Sequence, residues 1–208
     1  IVLLLLGLWL VPAGGVGSVY QSFAPFDEGE LPGSALPSTW FSAYGVFFFP
    51  TLDVSPIFTI ERFRFWHREQ NSTPDPYRIH LVVRSTASQT IFVIDTIEDL
   101  MTTCSNCWEE IEIERSFWDS STPGWSYGIF IQPQGGGAGT AEPGLRVDFS
   151  VTEPLVNLWA YYDDLYGFSN LIYMEDYDGG DFFMEVIVRY DVTTATVATS
   201  MSAIKALY

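Results

Sequence analysis

Apolar residues recur at every second position along most of this chain, and that period admits one kind of element. Tyr77, Ile79, Leu81 and Val83 alternate with Arg78, His80 and Arg84. Leu145, Val147, Phe149 and Val151 alternate with Arg146, Asp148 and Ser150. Trp125, Tyr127, Ile129 and Ile131 share one face of a segment, and Ile111 and Ile113 oppose Glu110, Glu112 and Glu114. Residues two apart on a β-strand point the same way, so each segment has one apolar side and one wet side. That is the pattern of antiparallel sheets packed on one face.

Further strands are expected over residues 40–49, 57–66, 90–97, 155–162, 168–174, 182–190 and 192–199. Turn formers separate them at 71–76, 120–124, 134–144 and 176–180. Helix signals are confined to one turn over 96–103 and a short terminal segment over 201–207. The spacing predicts an all-β fold, an antiparallel β-sandwich of jelly-roll type with about ten strands. The domain is expected over residues 40–208, after an extended lead-in over 18–39 that is rich in Gly, Pro and Ser.

Residues 1–17 open with an apolar run, Ile1 to Val11, too short for the about 20 residues that cross a bilayer. The run reads as the core of a secretory signal, with Val11-Pro12-Ala13 as the cleavage site. The alternative is a retained apolar strand seated in the groove of a neighbouring subunit. Both readings place the protein outside the cell or on its surface.

The chain carries a formal net charge of −17, with Lys205 as its single lysine. Such a field repels nucleic-acid phosphates and anionic lipid heads, and favours divalent cations or cationic partners. With 48% hydrophobic residues the sequence still has ample material for a core.

Cys104 and Cys107 form the one Cys-x-x-Cys. Trp108 stands where a c-type haem motif needs histidine. A metal site needs two more soft ligands, and His67 and His80 lie upstream without ligand spacing. In an exported chain the expected state is a small-loop disulfide, with two quiet thiols as the alternative. His67 and His80 are expected on wet strand faces beside arginines.

The clearest chemical signal is the segment Met174-Glu175-Asp176-Tyr177-Asp178-Gly179-Gly180-Asp181-Phe182. Glu175, Asp176, Asp178 and Asp181 supply hard oxygen ligands, and Asp163 and Asp164 are expected to fold near them. Calcium takes six to eight such oxygens, so the set is a candidate metal site. A solvated acidic turn is the plainer alternative. The spacing differs from that of an EF-hand. The segment resembles the acidic Glu-Asp-x-x-Gly-Gly loop of secreted bacterial surface β-sandwich domains of unknown function. Glu175-Asp176, Gly179-Gly180, Asp181-Phe182 and the valine-rich 186–188 carry the likeness, with Tyr127-Gly128-Ile129-Phe130-Ile131 upstream. Phe183-Met184 replaces the Asn-Asp of that pattern. The resemblance implies a calcium-stiffened surface domain.

Glu110, Glu112 and Glu114 lie on one strand face at ~7 Å steps. The segment resembles the Glu-Ile-Asp-x-Glu strand of the laminarinase and xyloglucan-transferase family. That resemblance implies Glu110 as nucleophile and Glu114 as acid/base of a retaining glycosidase, although Glu112 replaces the central Asp. A third class rests on Trp40, Phe41, Tyr44, Trp66, Trp118, Trp125, Trp159, Tyr161, Tyr162 and Tyr166, which suit glycan stacking as well as core packing. Asn71-Ser72-Thr73 is an N-glycosylation acceptor. The expected function is a secreted or cell-surface structural protein that assembles by strand addition, with a carbohydrate-binding module and a laminarinase-like hydrolase as alternatives.

Overall fold

Alternation becomes sheet pairing in the computed structural model, which describes residues 16–24, 42–49, 57–68, 74–85, 87–104, 106–118, 125–135, 143–145, 147–148, 157–173 and 181–193. The strands are β1 (Val16–Phe23), β2 (Ser42–Phe48), β3 (Ile57–Arg68), β4 (Pro76–Ser85), β5 (Ile91–Met101), β6 (Cys107–Trp118) and β7 (Trp125–Pro133). They continue as β8 (Gly144–Leu145), β9 (Val147–Asp148), β10 (Asn157–Asp163), β11 (Gly167–Tyr173), β12 (Asp181–Phe182) and β13 (Met184–Thr193). No helix occurs among the described residues. None is therefore long and apolar enough to cross a membrane.

One sheet runs β1-β13-β3-β6, with β8 also paired to β3; the second runs β11-β10-β2-β7-β4-β5. The short β9 and β12 pair with each other. Every pairing is antiparallel. The two sheets meet face to face as a β-sandwich. Phe58 of β3 packs edge-on against Tyr127 of β7 at 4.8 Å, and Phe65 against Tyr77 of β4 at 5.4 Å. Ile60, Phe63, Ile79, Leu81, Ile129, Val186 and Val188 complete this core. Each fully buried side chain of this size stabilises the fold by about 1.5–3 kcal/mol over leaving it in water.

Three expectations change. The sandwich takes in Val16–Phe23, upstream of residue 40, because β1 adds to β13 and turns Val19 and Phe23 onto the core. The expected helical turn over 96–103 is strand as far as Met101. Two register irregularities against β4 break the period of two in β5, at 98–99 and at Ile94, and Asp99 takes a φ of 58°. A bulge inserts an extra residue, which makes a strand read like a helix in sequence. Residues 184–193 form one strand where the sequence divides near Asp191. The terminal segment 201–207 lies outside the described residues.

The outer face of the second sheet is not wet. Ala43, Phe47, Val82, Phe130 and Ala160 form a second cluster there, with Tyr162 and Phe168 against it. The sheet curls, so that β11 at one end comes up against β5 at the other.

Candidate functional site

At the end of β3, register brings together four side chains that are well separated in sequence. His67 pairs with Cys107 across β3 and β6, and Phe65 pairs with Glu109. Residues directly opposite in an antiparallel pair share a face. His67 and Glu109 are therefore both turned inward, and both are buried. His67 Nε2 lies 3.7 Å from Cys107 Sγ and 3.5 Å from Glu109 Oε2. Cys104 and Cys107 are joined as a disulfide, with Cα atoms 6.1 Å apart. Asn106, inside this turn, has a φ of 54°, a left-handed conformation that asparagine tolerates better than most residues. The Thr103 N–H and hydroxyl both donate to Glu109 Oε2, at 2.8 and 3.1 Å. Phe65 packs against the His67 ring at 5.5 Å.

Ligand atoms of His67, Cys104, Cys107 and Glu109 all lie within 4.8 Å of one another. Two sulfurs, an imidazole and a carboxylate are the donor types of a tetrahedral zinc site. They do not suit calcium, which takes oxygens alone and more of them. Sequence spacing could not place His67 here, because strand register rather than local spacing closes the gap between it and the Cys-x-x-Cys. Glu109 did leave a signal: it is in phase with Ile111 and Ile113 on the apolar side of β6.

The expected calcium residues are divided. Asp163 Oδ1 accepts from the N–H groups of Leu165 and Tyr166, at 2.8 and 3.3 Å, and so shapes the β10–β11 turn. Asp164 pairs with Arg78 at 2.8 Å. Asp181 is buried in β12, opposite Asp148 of β9. Glu175, Asp176 and Asp178 lie outside the described residues. Among the described residues, the group that gathers metal-ligating atoms is the one at His67.

Glu110 and Glu114 lie on the exposed outer face of the first sheet, each against a different arginine. Glu110 faces Arg62 at 3.3 Å, and Glu114 faces Arg189 at 3.4 Å. Between them β6 bulges, and Glu114 has a φ of 47°. Glu185, Arg64, Glu61 and Asp191 extend this into a ladder of ion pairs across the sheet.

Neither histidine is on a wet face. His67 sits on the inner face because β3 carries an extra residue, Glu61, against β13, which moves Phe63, Phe65 and His67 into phase with the core. His80 points outward from β4, but Tyr162 and Phe168 cover it, with ring centroids at 4.0 and 5.7 Å. Burial holds its pKa down to about 4, with the Gln132 hydrogen bond opposing and Arg78 assisting. Of the candidate glycan-stacking rings, Tyr44 is core and Tyr162 packs on His80, while Trp125 and Tyr166 are exposed.

β5 is an edge strand, hydrogen-bonded to β4 alone among the described residues. Phe92, Val93, Ile94 and Met101 are all exposed on it, at 50, 37, 44 and 47%. Trp125, at the start of β7, is also exposed, and its ring lies 6.1 Å from that of Phe92. No family model matches the chain, and no curated protein matches it.

Proposed function

We propose that this chain is a secreted or cell-surface structural protein whose copies join by strand addition at β5. The observation that carries the reading is the run of exposed apolar residues Phe92, Val93 and Ile94 on β5, which among the described residues hydrogen-bonds to β4 alone. Edge strands present free N–H and C=O groups, and proteins ordinarily guard them with lysine, proline or a covering loop. Here the acids come later, at Asp95, Glu98 and Asp99, and 91–94 stays apolar although one register irregularity falls at Ile94. A second copy adding a strand pairs those backbone groups and buries Phe92 and Trp125 together.

Export is supported by the signal-like residues 1–13 and by the Cys104–Cys107 disulfide. A jelly-roll winding is supported by the strand orders β1-β13-β3-β6 and β2-β7-β4-β5, which two interlocked Greek keys produce. Stiffening by calcium at Glu175, Asp176, Asp178 and Asp181 is supported by the sequence alone, and a melting temperature lowered by EDTA is its expected signature.

The test is sedimentation of the chain against a Val93→Lys variant. The native chain is expected to associate with rising concentration and the variant to stay monomeric at unchanged melting temperature. A native chain monomeric throughout, or a variant that associates equally, overturns the reading. The exposed Trp125–Phe92 pair also favours a carbohydrate-binding module. Glycan-array binding lost in Trp125→Ala would select that alternative.

A further inference from the structure

We propose that His67, Cys104, Cys107 and Glu109 form a Zn2+ site which the Cys104–Cys107 disulfide closes and reduction opens. The proposal is independent of assembly at β5, since it concerns the opposite sheet.

The geometry already fits a metal at two edges. In a tetrahedral site with Zn–S near 2.3 Å and Zn–N or Zn–O near 2.0–2.1 Å, a sulfur and a nitrogen stand roughly 3.6 Å apart and a nitrogen and an oxygen roughly 3.4 Å. His67 Nε2 lies 3.7 Å from Cys107 Sγ and 3.5 Å from Glu109 Oε2. Two of the ligands are fixed before any metal arrives: His67 by Phe65 and the β3–β6 register, Glu109 by the two hydrogen bonds from Thr103. Cys104 lies ahead of β6 and Cys107 is its first residue, so the sulfurs can separate by side-chain rotation at the end of the strand.

Closed and loaded states exclude each other, because each sulfur bonds either to its partner or to the metal. A dithiol opens the bridge: it is oxidised to its own disulfide and delivers two electrons and two protons, leaving Cys104 and Cys107 as thiols. Zn2+ then displaces both thiol protons, which go to solvent, and takes the two thiolates, His67 Nε2 and a Glu109 oxygen. Thiolates with imidazole select zinc over calcium or magnesium, and the hard carboxylate disfavours Cu(I).

The test is zinc binding by the full chain, oxidised and phosphine-reduced, in competition with a chromophoric chelator. One Zn2+ per reduced chain and none per oxidised chain is the expected result. His67→Ala and Glu109→Gln should each weaken binding by more than the roughly 10–100-fold seen when a ligand loses only its hydrogen-bond partner. No zinc uptake by the reduced chain overturns the proposal, as does binding undiminished in both variants. If a variant fails to fold, Co2+ on the reduced native chain decides. Intense visible bands of a tetrahedral centre with thiolate charge transfer support the site, and the weak bands of an octahedral centre overturn it.

Discussion

The imidazole of His80 lies against the ring of Tyr162, centroid to centroid 4.0 Å, although the two residues belong to strands three apart in the same sheet. The contact exists because the sheet curls and carries β10 and β11 over the outer face of β4. It also sets the protonation of His80. Gln132 Oε1 accepts from Arg78 Nε at 2.7 Å and from His80 Nε2 at 2.9 Å, so the ring carries its proton on Nε2. Nδ1 is then the acceptor for the Thr96 hydroxyl at 3.0 Å. A second proton on Nδ1 would oppose that hydroxyl inside a desolvated site.

Stability should therefore fall as pH falls from 6.5 toward 4. The unfolded chain protonates His80 near its ordinary 6.5, whereas the folded chain does so near 4. The contribution of neutral His80 is complete above the unfolded value and is lost as pH drops through that window, at up to about 1.4 kcal/mol per pH unit. Urea unfolding of the native chain and His80→Gln between pH 7 and 5 checks this. The native slope should exceed that of the variant, and equal slopes would refute the assignment.

Gly45→Ala should destabilise the fold by about 1–3 kcal/mol, the usual cost of overpacking. A Cβ at Gly45 would run into the Ile129 carbonyl and the Phe130 ring, which pairs across from it in β7. Glycine-to-alanine exchanges at open sites stabilise by about 0.4–1 kcal/mol, so the sign of the shift in urea midpoint decides.

Glu110→Gln should change stability by less than about 1 kcal/mol, because its partner Arg62 is more than a third exposed and such surface pairs are screened. The same variant tests the glycosidase alternative. Reducing sugar released from a β-glucan by the native chain and abolished in Glu110→Gln would select it; equal readings from both would sink it.

The alternation of Tyr77, Ile79 and Leu81, or of Tyr127, Ile129 and Ile131, was enough to identify strands, their inner faces and an all-β sandwich. Period two reports local geometry, and every strand keeps it unless a bulge intervenes. The bulges at Ile94 and at 98–99 made β5 look partly helical, and the extra residue Glu61 in β3 moved His67 to the core side. Glu109 was legible as a carboxylate in phase with apolar neighbours, but its partners were not, because they come from β3 and from the Cys104–Cys107 turn.

By itself, then, the sequence determined which segments are strands, apart from β1 and the end of β5, which way most side chains point, and that a Cys-x-x-Cys leads into β6. Tertiary structure decided which faces are dry and which reactive groups meet. Sheet curl buried His80, which alternation had placed toward water. Pairing of β3 with β6 set His67 beside Cys107 and Glu109 across forty residues of chain. Both depend on contacts between segments distant in sequence, whose register and curvature no local pattern encodes.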